Sequence, residues 1–374
     1  MRFKVVVLAL FASILQAEVF HSCSIVNARA VSLDNGWALM NDEGKILTPK
    51  VYCAGDEYSD GLIRFEQCNP GNEKTFDYLT PDGKVALSIK AQDAARFSEG
   101  LAAIQDGKGL WGYIDKHGKT VIRPQFQDTH PFSEGVAAVK IDDTWEYIDK
   151  SGKTAVKPQA EGKEIFGAGE FRSGAALVVL FDSANDKYLK GFIDHSGKWL
   201  LTPTPNLTGE LDNGLAPLWS DSDKKIGFVD STGRFVISPQ FTDNASLPFE
   251  QGLAAVYVGE KPDMKAGFID KEGHWAIPPK FEEAYHFCNG LAPVKSNNLW
   301  GYVDKDGKLV IAPTYQHAES FEDGIAEVYS KDAKGILHRQ LINTNGSVLY
   351  RSSQETTLTD LDARKSKNNH RKDN

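Results

Sequence analysis

Asp115, Lys116 and His117 stand together in WGYIDKHGKTVIRPQF (Trp111 to Phe126), a carboxylate, an ammonium and an imidazole in three consecutive positions. Groups of those types transfer protons when a fold aims them at one point. A second chemistry is suggested by Asp304-Lys305-Asp306-Gly307, a run of oxygen ligands of the sort a calcium loop uses. Both ideas weaken when the copies of this stretch are compared. The place of His117 is taken by Ser196, Thr232, Glu272 or Asp306, so the imidazole is not kept. An EF-hand loop needs more oxygen ligands and a glutamate at its twelfth position, which the segment after Asp304 lacks.

Other chemistry is equally thin. No GxSxG or SxxK nucleophile motif has a suitable context, and no glycine loop joins a strand to a helix for phosphate binding. The carboxylate pairs Glu282-Glu283 and Asp142-Asp143 fall in loops, where a solvated surface explains them. The expectation is a protein with no catalytic, cofactor-binding or metal-ligating residues, and so not an enzyme.

The recurring aspartates and glycines have a structural explanation. Asp115 with Gly118, Asp194 with Gly197, Asp230 with Gly233, Asp270 with Gly273 and Asp304 with Gly307 keep one offset of three residues. Aspartate can bond the backbone N–H groups ahead of it, and glycine takes the positive φ that other residues resist. Each pair therefore predicts a turn between two strands. From Gly118 to Gly307 is 189 residues in five steps, a period of about 38. A second glycine series runs in phase with the first, from Gly61 through Gly100, Gly135, Gly174, Gly214, Gly252 and Gly290 to Gly324.

Each unit reads as three short strands. GLAAI (Gly100 to Ile104) is the first, WGYID (Trp111 to Asp115) the second and TVIRPQF (Thr120 to Phe126) the third. They are rich in β-branched and aromatic residues bounded by Gly, Asp and Pro, and helical periodicity is missing. Proline recurs in the third strand, at Pro124, Pro158, Pro203, Pro239, Pro279 and Pro313. It cannot donate to a ladder, so that strand should be an edge or carry a bulge. The fold class expected is all-β: about eight to nine three-stranded antiparallel units stacked face to face in an open, curved superhelix. A closed β-propeller is the alternative. The open form is preferred because propellers typically have four to eight four-stranded blades, and no blade is divided between the termini here.

Gly109 to Lys116 (GLWGYIDK), Val121 to Phe126 (VIRPQF) and Phe132 to Val139 (FSEGVAAV) resemble the WG repeats of bacterial WG repeat-containing proteins. The resemblance spans about residues 34 to 350, with departures where Gly191, Gly227 and Gly267 follow residues other than Trp. It implies a repeat scaffold without an established activity. The aromatic hairpins with Asp-Gly turns also look loosely like the cell-wall-binding repeats of surface proteins.

The ends and the composition bound the rest. Arg2 and Lys4 precede an apolar run from Val5 to Leu15, which reads as a signal peptide over residues 1–17. The repeat array is placed at 18–351 and a disordered polar tail at 352–374. An exported chain would be periplasmic, in the cell envelope or extracellular. There Cys53 and Cys68 could bridge, and membrane attachment would require lipidation at Cys23. A net charge of -9 opposes nucleic-acid binding, which draws on a basic face. The functional expectation is a non-enzymatic scaffold for protein–protein interaction. The alternative is glycan or cell-wall binding through exposed rings among Trp37, Trp111, Trp145, Trp199, Trp219, Trp275 and Trp300.

Overall fold

A computed structural model describes residues 28–68, 74–160, 162–242 and 249–356. The expected signal peptide over residues 1–17, Cys23 and residues 357–374 lie outside the described residues. Among the described residues all the regular structure is β, in nine antiparallel sheets that follow one another along the chain. Six sheets have four strands, the sixth and seventh have three, and the first has two, Ala28–Leu33 and Gly36–Asn41.

Sheet 3 shows the plan, with strands Asp93–Ser98, Leu101–Gln105, Trp111–Asp115 and Thr120–Phe126 in simple up-and-down order. Its last strand is the exposed one, with only Ile122 and Phe126 buried. Its first strand lies near the ring axis. Arg96, on that strand, comes within 3.8 Å of Glu170 in sheet 5, passing over sheet 4 altogether. The three-strand unit expected from the sequence holds in sheets 6 and 7 and is corrected in six other sheets by an added innermost strand. That strand has few glycines and no fixed motif beyond a Phe near its end, so it reads as a loop.

The first and last sheets decide between an open array and a ring. Apolar clusters join sheet 1 to sheet 2, sheet 2 to sheet 3, and so on to sheets 8 and 9. One further cluster puts Val31 and Met40 of sheet 1 against Ile325 and Leu341 of sheet 9. Nine sheets in a row have eight joints; nine in a ring have nine. The chain is a closed β-propeller, whose described residues give six four-stranded sheets, two three-stranded ones and a two-stranded first one. The preferred open superhelix is thereby corrected.

Closure needs no divided blade because side chains perform it. The Asp34 carboxylate accepts bonds from Ser352 Oγ (2.5 Å), Ser353 N (2.8 Å) and Ser353 Oγ (2.6 Å). The Arg339 guanidinium donates to the Ser32 carbonyl at 3.0 Å. Arg29 donates to the Ile325 carbonyl at 3.0 Å and pairs with Glu322. The final strand, Val348–Thr356, runs past the expected array boundary at 351, and Ser352 and Ser353 in it belong to this clasp.

Candidate functional site

The turn aspartates are spent on the backbone. Asp115 Oδ1 accepts from the N–H groups of His117 (2.9 Å) and Lys119 (3.0 Å), and Gly118 has φ +78°. Asp194, Asp230, Asp270 and Asp304 accept at the same two positions, beside Gly197, Gly233, Gly273 and Gly307, all at positive φ. At Asp115 the bond from the Lys119 N–H is the main influence lowering the carboxyl pKa. His117 itself is exposed on the turn. Among the described residues no three metal-capable side chains converge.

Lys116, next in the motif, has a role that its repetition signals but that the sequence alone does not reveal. It reaches back one sheet to Asp60 Oδ1 at 2.9 Å, while Asp60 Oδ2 accepts the Gly100 N–H at 2.6 Å. Lys150 on Glu99 (3.1 Å) and His195 on Glu134 (3.1 Å) repeat the contact, with the same carboxylates holding the N–H groups of Gly135 and Gly174. Lys271 and Lys305 donate to the carbonyls of Asn213 and Gln251. These partly exposed links join neighbouring sheets and add little stability, since surface ion pairs are each worth about 0–1 kcal/mol.

The apolar seams carry the energy. Tyr113, fully buried, meets Phe132 of the next sheet edge-on with centroids 4.8 Å apart, and its hydroxyl donates to the His130 carbonyl at 2.8 Å. Tyr78 with Phe97, Tyr147 with Phe171 and Tyr302 with Phe321 repeat the pair. Sheets 6 and 7 place Phe228 on Phe249 and Phe268 on Phe287. Burial raises the Tyr113 and Tyr147 phenols well above their ordinary range, so they stay neutral donors.

The tryptophans divide. Trp145 and Trp300 are buried, the latter stacked on Tyr285 at 4.8 Å. Trp37, Trp111, Trp199 and Trp219 are half-buried. Trp275 is 37% exposed, the one exposed Trp among the described residues, and its ring lies over Gly267. Trp275 is not isolated. It opens an outer strand, as Phe235 (39% exposed) and Leu309 (49% exposed) open those on either side, followed by exposed Val236 and Val310. Sheets 6 to 8 thus present an apolar strip on the outer wall of the ring.

Two further sites flank sheet 2. Cys53 and Cys68 form a disulfide with an S–S distance of 2.04 Å. Nearby, the buried Asp77 carboxylate gathers Ser88 (2.7 Å), Gln67 (2.8 Å), Lys50 (3.0 Å) and Tyr52 (3.1 Å). These partners outweigh its burial and lower its pKa, a satisfied polar core rather than a reactive group. Where sheets 1, 2 and 9 meet, a cavity of about 180 Å³ is lined by Arg29, Trp37, Asp56, Glu57, Tyr58, Glu322 and Asp323, among others.

The family model described as a WG containing repeat matches residues 111–145, 226–261, 267–300 and 300–332. No curated protein matches the sequence. Among solved structures, a eukaryotic initiation factor aligns with a TM-score of 0.50 and 12% identity, covering 88% of this chain and 95% of its own. Kluyveromyces lactis Hsv2 with loop 6CD replaced by a Gly-Ser linker aligns at 0.38 and 12%, over 77% and 98% of the two chains. The β-propeller domain of the Trilobed protease from Pyrococcus furiosus aligns at 0.35 and 10%, over 79% and 97%. At 12% identity the likeness to the initiation factor concerns the fold alone.

Proposed function

We propose that this chain, a WG repeat protein folded as a closed β-propeller, is an exported, non-enzymatic scaffold that holds a protein partner on its outer wall. The observation that carries this reading is the strip of Phe235, Val236, Trp275, Leu309 and Val310, with each side chain 37–49% exposed on adjacent sheets. Exposed apolar side chains grouped on neighbouring sheets point to an interaction site more than singly scattered ones do. The strip lies on edge strands whose kinked geometry resists pairing with further strands, which favours side-chain docking over aggregation.

Two observations support the other parts of the proposal. Asp115 and Lys116 and several of their copies are engaged in turns and latches, which fits a scaffold better than a catalyst. Disulfides persist in oxidising compartments, so the Cys53–Cys68 bridge agrees with the apolar leader in favouring export.

A second reading, glycan binding, is favoured by Trp275 alone, since its ring rests over Gly267 and is 37% exposed. One experiment separates the two. Wild type, Val310→Lys and Trp275→Ala are immobilised and exposed to the exported protein fraction and, in parallel, to cell-wall polysaccharide. Protein docking predicts a specific protein capture that both variants lose, with no polysaccharide retained. Polysaccharide retention that Trp275→Ala abolishes and Val310→Lys leaves intact supports the glycan reading instead.

A further inference from the structure

Four cysteines stand in the chain, Cys23, Cys53, Cys68 and Cys288. Cys53 and Cys68 bond to each other. Cys288 is fully buried and its sulfur too is held in a disulfide, so among the described residues no cysteine is free. Its partner is neither Cys53 nor Cys68, and it lies outside the described residues. Cys23 is the cysteine of the chain that remains.

The place of Cys288 in the ring puts that partner within reach. Cys288 bridges Leu291 in the turn between the first two strands of sheet 8, and Glu322 bridges Ile325 in the matching turn of sheet 9. Asn289, beside the cysteine, accepts the Gly324 N–H at 3.0 Å and so joins the two turns. Arg29, the second residue of sheet 1, meets the sheet 9 turn through Glu322 and the Ile325 carbonyl. Cys288 and the start of sheet 1 are thus linked through one turn of sheet 9. Arg96 and Glu170 show that side chains two sheets apart come within 3.8 Å near the axis. Arg96 precedes the first residue of Leu101–Gln105 by five positions, and Cys23 precedes the first residue of Ala28–Leu33 by five. Five residues extend up to about 17 Å, and a disulfide brings its Cα atoms to about 4.4–6.8 Å.

We infer that Cys23 is the partner of Cys288, and that their disulfide ties the segment leading into sheet 1 to sheet 8 across the closing seam of the ring. The bond forms by thiol–disulfide exchange. One cysteine thiolate attacks a disulfide oxidant of the compartment, the other attacks the mixed disulfide that results, and the oxidant leaves as two thiols carrying the two protons released. The noncovalent clasp made by Arg29, Asp34 and Arg339 is thereby backed by a covalent one. A thioether-linked lipid would need the same sulfur, so the bond also leaves Cys23 without a membrane anchor. The inference does not depend on the protein-binding reading.

Trypsin separates the four cysteines, cutting after Arg29, Lys50, Arg64, Lys74, Lys280 and Lys295. The full chain, produced in an oxidising compartment, is alkylated without reductant, digested and mapped by mass spectrometry. One linked pair holding Cys23 and Cys288 is expected beside the pair holding Cys53 and Cys68, and reductant should split both. An alkylated Cys23 or Cys288, a lipid mass on Cys23, or a Cys288 peptide linked to a second copy of itself would overturn the inference. A second measurement reads the seam. In a chain that already carries Cys53→Ser and Cys68→Ser, adding Cys23→Ser should lower the urea midpoint without reductant, and reductant should abolish the difference. Equal midpoints without reductant would count against a covalent seam.

Discussion

Gly301 and Pro313 face each other across the third and fourth strands of sheet 8, and a Cβ on Gly301 would lie 2.7 Å from the Pro313 nitrogen. It would also come within 2.5 Å of the Ile311 carbonyl oxygen. The outer strand shifts register beside the proline and swings its backbone over the glycine. Gly112 with Pro124, Gly191 with Pro203, Gly227 with Pro239 and Gly267 with Pro279 repeat the arrangement at 2.5–3.0 Å. The exceptions confirm the cause. Asp77 faces Ser88 and Gln340 faces Arg351 in sheets without the proline. Where Pro158 is kept but Glu146 replaces the glycine, the outer strand stops at Val156.

Gly301→Ala should therefore destabilise the protein by about 1–3 kcal/mol, the usual cost of overpacking a closed site. Gly107→Ala is the control, because nothing lies within 4 Å of a Cβ there. Urea unfolding midpoints of the two variants check this, and equal midpoints would refute the steric account.

Tyr147→Phe removes the hydroxyl that donates to the Gly169 carbonyl at 2.9 Å in a buried seam. It leaves that acceptor unsatisfied, so a loss of about 1–2 kcal/mol is expected, with the Phe171 ring contact preserved. Equilibrium unfolding gives the number, and an unchanged near-ultraviolet circular dichroism spectrum would show that the rings still pack.

The ring closure should depend on acidity. Hydrogen bonds from Ser352 and Ser353 hold the Asp34 carboxyl well below its ordinary range. A group lowered on folding contributes stability above its unfolded pKa of about 3.9, and loses it as pH falls through the folded value. Wild type and Asp34→Ala should thus differ by a constant amount from pH 7 to 5, and converge only in strong acid. A difference that vanishes near neutrality would contradict the clasp.

Removing the Cys53–Cys68 bridge by Cys53→Ser with Cys68→Ser frees a loop with a sequence separation of 15 residues. The chain-entropy model assigns such a loop about 3 kcal/mol. The double variant should unfold at correspondingly lower urea, and added reductant should bring wild type toward it.

Much of this architecture was legible because repetition marks it. The Asp–Gly turns, the small-residue strand and the proline-kinked outer strand appear at fixed offsets, and each has a local backbone cause. The inner strand was not legible: its strand residues can be as few as Asp128–Thr129, and its identity comes from neighbours across the ring. Closure was hidden for a related reason. Asp34, Arg339 and Ser352 lie more than 300 positions from their partners and resemble ordinary polar surface in the chain. The apolar strip was obscured too, because Leu309 and Val310 look like any strand residues until one face is known to be outermost.

The side-chain clasp between sheets 1 and 9 has a consequence for chain connectivity. Every sheet is formed from consecutive residues, so the backbone can be opened between any two blades without splitting one. A circular permutant that begins after Phe241, with residues 28 and 356 joined by a linker long enough to span them, would keep all nine sheets whole. Its old clasp would become a covalent connection, and a noncovalent seam between sheets 6 and 7 would become the point where the ring can part.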